Sequence, residues 1–427
     1  MSLSARRIGL NISLLFVGNV LARVASAVTQ ILIARTISID AFGQYAATFA
    51  IAKISSMIFS LGLDIWLLRN ADRTPNSTRF AQQVTSCFAI KILVGSLWFV
   101  GIYFFSAIYQ GETFSPSLLL LTALVVWIEE LLATILSAFK AHLQNVQTTL
   151  LLIFSELGVL VITVGIKFAH YTDANSFVAG QIVAASISVG IGLLLLARMI
   201  RPQLNVSHVL QTVKETTWFG MSIFFAKIYG QADVTIAAIW LDKHTAGLYS
   251  AATTILSTLF LIPAAAHDVL LPELRHSYQQ NQTISSSLMR NAGVAAAAAG
   301  LVLSLATALF AGFGIRLLYG ADFAPAQGLL LILSSILFFR CISFVFAALI
   351  TAVGWQQRRV VVQGIVALAN VAFNLMVVQW WGITGIAWIY VLTDLMLMGG
   401  YLVLAYRWFM QGSSHAWGEI NKPFKAF

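Results

Sequence analysis

The 427-residue chain is 59% hydrophobic and only 10% charged, with a formal net charge of +9 and two cysteines. That composition lacks the polar surface a soluble protein of this length needs, so lipid is the expected solvent. Within hydrocarbon only helices or closed barrels satisfy the backbone, and the long continuous apolar runs here exclude a barrel.

In chain order the runs predict an all-α polytopic membrane protein with about twelve transmembrane helices in two six-helix lobes. The expected spans are 10–33, 44–68, 82–106, 117–138, 149–168, 177–199, 218–240, 247–270, 292–315, 325–350, 360–380 and 384–406. Arg6 and Arg7 before an apolar stretch, with Ala25-Ser26-Ala27 further on, also fit a cleaved leader. The stretch runs on to Ala34, however, and cleavage would leave an odd number of spans. The connection near 200–217 carries Pro202 and an amphipathic run from Val206 to Glu215, expected to lie along the membrane surface. It divides an N-terminal lobe, 1–205, from a C-terminal lobe, 206–427, that ends in a short tail. Pro263 removes a backbone hydrogen bond from the eighth span, as part of a moving gate or as a static kink.

The loops fix an orientation. Sixteen Lys and Arg, among them Arg69, Arg73, Lys140, Arg201, Lys214, Arg290, Arg358, Lys422 and Lys425, fall on one side. Arg35, Lys167, Lys243 and Arg316 fall on the other. The basic side is retained in the cytoplasm, so both termini are expected there. The net charge is thereby accounted for by topology, and no nucleic-acid partner is implied. Cys87 and Cys341 both fall inside spans, which indicates neither a disulfide nor a metal site, and no cofactor is expected.

The halves share an element. Gly43-Gln44-Tyr45-Ala46-Ala47 follows the first span, and Gly247-Leu248-Tyr249-Ser250-Ala251 follows the seventh, 204 residues later. Gly180 and Gly385 sit at nearly the same offset at the starts of spans six and twelve. Two lobes of like orientation, related by an axis along the membrane normal, are expected.

Ionisable groups at mid-membrane cost on the order of 2.5–3.5 kcal/mol each, so each calls for a partner or a task. Asn19, Arg23, Ser26 and Gln30 share one face of span one, and Lys53, Ser56, Ser60 and Asp64 one face of span two. Ser250, Thr254 and Ser257 form a stripe on span eight; Gln363, Asn370 and Asn374 form another on span eleven. These stripes predict a hydrated cavity between the lobes. Arg23, Lys53, Lys91, Lys227 and Arg340 are candidates to bind an anionic group there, the alternative being buried ion pairs that hold the bundle together. Lys91 has a second option in snorkelling to the interface, and Asp64, Asp268 and Glu129 lie near enough to span ends to reach it. Glu156, Asp233 and Asp394 are candidates for ion coupling. Nothing in the histidine positions or in phosphate-loop patterns points to catalysis.

Arg35 with Asp40-Ala41-Phe42-Gly43-Gln44-Tyr45, then Leu61-Gly62-Leu63-Asp64 and Arg69, resembles the polysaccharide transporter family that includes Wzx-type O-antigen flippases. Leu318-Tyr319-Gly320-Ala321-Asp322-Phe323, Asn370 with Asn374, and Gly382-Ile383-Thr384-Gly385 extend the likeness over nearly the whole chain. The resemblance implies the multidrug, oligosaccharidyl-lipid and polysaccharide exporter superfamily: two six-helix lobes around a V-shaped cavity that moves undecaprenyl-pyrophosphate-linked oligosaccharide across the bacterial inner membrane. The implied partners are that substrate, the bilayer, and glycan polymerase or chain-length machinery. Two rivals stand beside it. One is a drug exporter of the same superfamily, expected to have an acid-dominated cavity; the other is a membrane enzyme that polymerises or modifies the glycan.

Overall fold

The computed structural model describes residues 3–72, 74, 77–109, 113–281 and 283–412. Arg73, Lys422, Lys425 and the side chains of Arg6, Arg7 and Lys214, counted above as topogenic charges, lie outside what it describes. All regular secondary structure among the described residues is helical, with no strand.

The first half comprises α1 (Leu3–Ala34), a broken span of α2 (Ile39–Ser55), α3 (Met57–Ser60) and α4 (Leu63–Asn70), then α5 (Thr78–Ile108), α6 (Pro116–Ala141), α7 (Asn145–Phe168) and α8 (Ala174–Ala197). The second comprises α9 (Val206–Trp240), a broken span of α10 (Lys243–Leu259) and α11 (Leu261–Asn281), then α12 (Ser286–Tyr319), a broken span of α13 (Ala326–Ser334) and α14 (Ile336–Ala352), and α15 (Gln356–Gly412). Among the described residues, nine helices, or ten with the bent α2–α4 span, are long and apolar enough to cross a membrane. α15 contains two of the expected spans folded back at Gly382, whose φ of 54° and ψ of −142° break the helix. Close approaches of Gly385 to Val377 and Gly400 to Val362, with a hydrogen bond from Asn370 to Thr393, mark the two arms as an antiparallel hairpin. α9 is long enough to span and completes about twelve crossings.

The expected surface helix at 206–215 is instead the first turns of α9. Its Glu215 accepts a hydrogen bond from the Trp66 indole at 2.9 Å, so part of the polar face that reads as interfacial meets α4.

Helices pack mostly within their own half: α1 on α7 and α6 on α8 in the first, α9 on α15 and α12 on α14 in the second. Contacts between halves run from α2 to α10 and from α2, α4 and α5 to α9. The repeat read from sequence is reproduced residue for residue in α2 and α10. Both have 17 residues, both begin at a capping side chain that accepts from the amide three residues on, and their bounds differ throughout by 204. Each element meets its own counterpart, as at a two-fold axis. Asp40 lies 2.9 Å from His244, and a Cβ on Gly43 would fall 2.9 Å from the Gly247 nitrogen, with the reciprocal distance 3.2 Å. Only glycine permits so close a crossing. Around it Phe42, Tyr45, Tyr319 and Phe323 form an aromatic cluster, and Arg35 donates to the Leu317 carbonyl at 2.6 Å. The halves thus meet at the end of the bundle away from the termini through α2 and α10, and at the other end through α4 and the start of α9.

Both halves also break their second helix at the same offset, after Ser55 and after Leu259. In α11 the cause is Pro263, whose missing N–H would have bonded Leu259. The first half has no such proline and adds left-handed Leu61 (φ 44°) and Gly62 (φ 73°), bending the span by 45°.

Candidate functional site

Between the halves lies a cavity of about 460 Å³. Ser26, Thr29 and Gln30 of α1 face Ser250, Thr254 and Ser257 of α10 across it, so the two stripes anticipated on spans one and eight do meet. The Thr254 hydroxyl donates to Gln30 Oε1 at 3.2 Å, tying the halves together there. A second cavity of about 480 Å³ adjoins the first through Lys53, Glu129, Gly230 and Gln231, and adds Glu130 and Lys227 to the walls.

The charge on these walls differs from a simple cation cluster. Lys53 and Lys227 are set against Glu129, Glu130, Glu156 and Asp233. Lys53 sits over the Phe49 ring at 5.4 Å, and among the described residues neither Lys53 nor Glu129 has an ion-pair partner within 4 Å. Glu156 and Ser26 line the first cavity together. Arg23 and Asn19 are exposed on α1, Arg23 one turn before Ser26 on the same face.

The other expected cations are paired with acids from other helices, which spacing along one helix cannot reveal. Lys91 does not snorkel: fully buried, it bonds Asp64 at 2.8 Å and Glu130 at 3.2 Å. Asp64 therefore does not reach the interface either. Lys227 meets Glu130 at 2.7 Å and the Ser56 hydroxyl at 2.8 Å. Arg340 donates to Asp394 at 2.8 Å and stacks near Tyr229 and Phe260, at 5.3 and 4.9 Å from their centroids.

A hydrogen-bonded chain crosses the interior of the second half. Asp233, 5% exposed, accepts from the Tyr249 hydroxyl at 3.0 Å and from Asn374 at 2.8 Å. Asn374 bonds Asn370, Asn370 bonds Thr393, and Thr393 lies 3.4 Å from the Tyr229 hydroxyl, which donates to Asp394. Two of the expected coupling acids are the ends of this chain. Asn370 and Asn374 belong to it rather than to the cavity wall, and Gln363 is half-buried on the same helix. Among the described residues, the buried Asn374 Oδ1 has no hydrogen-bond partner.

Tyr45, Gln181, Gln231, Tyr249 and Glu129 also line the wall, and no polar stripe in the sequence marks them. The adjacent pair Glu129-Glu130 was a usable signal: neighbours on a helix point about 100° apart, so one can face the cavity while the other faces a buried partner.

The family model for "Polysaccharide biosynthesis protein" matches residues 8–278. Among solved structures, the lipid II flippase MurJ in an inward closed conformation superposes with a TM-score of 0.71 at 14% identity, covering 92% of this chain and 87% of that one. An inward-facing multidrug resistance MATE family transporter of the MOP superfamily gives 0.71 at 10% identity, over 92% and 96%. A MOP superfamily transporter from Pyrococcus furiosus, described as having a binding pocket of reversed polarity, gives 0.61 at 11% identity, over 93% and 95%. No curated protein sequence matches. At these identities the structural likeness is one of fold.

Proposed function

Because the chain belongs to the polysaccharide biosynthesis protein family, we propose that it is a flippase for undecaprenyl-pyrophosphate-linked oligosaccharide, an O-antigen or other surface-polysaccharide repeat unit. The observation that carries the proposal is the polar cavity between two halves of an otherwise apolar bundle, with Lys53 and Lys227 in its walls. In this reading residues 1–205 and 206–427 rock as two lobes in the bacterial inner membrane with both termini cytoplasmic. The head group crosses through the cavity while the lipid tail stays in the bilayer. Arg23, Lys53 and Lys227 hold the pyrophosphate, since phosphate is bound by guanidinium forks and ammonium point charges. Gln30 and the hydroxyls of α10 receive the sugars. Lys91 and Arg340 contribute indirectly, by fixing Glu130 and Asp394. Proton or sodium coupling falls to Asp233, which lines the cavity beside the unpartnered Asn374 acceptor. Likeness of fold to a lipid II flippase supports a lipid-linked cargo.

Neutralising Arg23, Lys53 or Lys227 singly is expected to abolish surface glycan with protein abundance unchanged; loss of the protein itself would assign these residues to structure. A deletion strain is expected to accumulate lipid-linked repeat units on the cytoplasmic face. Accumulation on the periplasmic face would point to a glycan polymerase. The second reading, an exporter of cationic compounds, is favoured by the carboxylates in the wall and by the fold shared with MATE transporters. Drug efflux restored to a sensitive strain would select it.

A further inference from the structure

Four charges from four spans form one network where the halves meet. Lys91 Nζ donates to both Asp64 oxygens, at 3.0 and 2.8 Å, to the Glu130 carbonyl at 2.7 Å and to Glu130 Oε2 at 3.2 Å. Glu130 Oε1 accepts from Lys227 Nζ at 2.7 Å, and that ammonium also donates to Ser56. Asp64, Lys91 and Glu130 belong to the first half, Lys227 to the second, and the four charges sum to zero.

The network is lopsided. Were Lys227 withdrawn, Glu130 would keep Lys91, and Asp64 would keep Lys91 and the Thr134 hydroxyl at 3.0 Å. Among the described residues, Lys227 would keep only the hydrogen bond to Ser56. Lys91 is wholly buried, whereas Lys227 retains 21% exposure and shares the second cavity with Lys53. Three members therefore form a closed set, and the fourth is exchangeable from the cavity side. Since a ligand moves a conformational equilibrium only by binding one state better, an anion that competes for Lys227 acts directly on the join between α6 and α9.

We propose that Glu130 is a built-in stand-in for the substrate's anionic group: pyrophosphate entering the second cavity takes Lys227 from Glu130, shares it with Lys53, and so unfastens the two halves at this seam. The identity of the anion rests on the flippase reading above. A pyrophosphate carries more charge than the carboxylate it displaces, and its several oxygens accept from both lysines at once. With no substrate the seam stays neutral and shut.

The test uses the full chain in lipid nanodiscs with nitroxide labels at exposed Ile58 and Met221, on α3 and α9, and farnesyl pyrophosphate as probe. In the wild type the probe is expected to bind and to weaken the dipolar coupling between the labels. Glu130→Gln is expected to show weak coupling before any probe is added and to bind it about tenfold more tightly, because the competing internal pair is gone. Lys227→Gln should neither bind nor respond, and Lys227→Arg should do both. Binding to the wild type without movement of the labels, or unchanged affinity in Glu130→Gln, overturns this inference alone. Failure of the probe to bind the wild type overturns the flippase reading and this inference with it. The wild-type measurement decides the matter even if Glu130→Gln does not fold.

Discussion

Replacing Gly43 by alanine probes the crossing of α2 and α10 directly. The added Cβ would stand 1.7 Å from the Lys243 carbonyl oxygen and 2.8 Å from its carbon. A carbon rests against a carbonyl oxygen at about 3.3 Å, so α10 must retreat by roughly 1.6 Å. The obstacle is backbone, which no rotamer change removes, and overpacking of this kind costs about 1–3 kcal/mol or more. In Gly247→Ala the corresponding approach is 2.5 Å, to the Ile39 carbonyl, requiring a retreat of about 0.8 Å and a smaller loss. Gly101→Ala, within α5, meets nothing within 4 Å and is expected to be neutral or slightly stabilising through helix propensity. Thermal unfolding of the three variants in one detergent, alongside surface-glycan complementation, gives the ranking. Wild-type stability in Gly43→Ala, or a greater loss in Gly247→Ala, would refute the reasoning.

Lys91→Met removes the ammonium that Asp64 and Glu130 share and is expected to cost about 3–5 kcal/mol by leaving buried carboxylates underpaired. An unchanged unfolding midpoint would contradict this. Arg340→Met strands Asp394, which is 1% exposed and keeps, among the described residues, only the Tyr229 hydroxyl, so a loss of about the same size is expected in the same assay. Asp233→Asn keeps a side chain that Tyr249 can still bond but removes the charge. Probe binding should survive while gradient-driven transport in proteoliposomes is lost, and undiminished transport would exclude Asp233 from coupling.

The spans were legible because an apolar run of sufficient length has one solution in lipid, and Gly382 was visible as the boundary between the last two. The repeat was legible too, since the glycine-tyrosine element marks the place where the halves touch. Charge pairing was not. Lys227 and Arg340 have no acid within a turn of their own helices, and their partners come from α6 and from the second arm of α15, 97 and 54 residues away. Sequence periodicity reports which face a residue occupies but not what lies opposite. The same gap explains the surface helix expected at 206–215, whose Glu215 accepts from Trp66 of α4. It also explains the excess of carboxylates in a cavity anticipated from its cations.

The matched breaks in the second and eighth spans are alike in position but unlike in reversibility. In the eighth span Pro263 has no amide hydrogen to restore, so the hydrogen bond to Leu259 is missing however that span bends. In the second, every residue from Ser56 to Gly62 retains its N–H, and the bend is held partly by Leu61 in a left-handed conformation that costs roughly 1–2 kcal/mol. Straightening the second span recovers that cost; the eighth has none to recover. Amide exchange should therefore change between transport states at residues 57–62 and stay constant at 259–264. Lys227 of the other half is fastened to this bend at Ser56, so straightening the second span and releasing that lysine are mechanically linked.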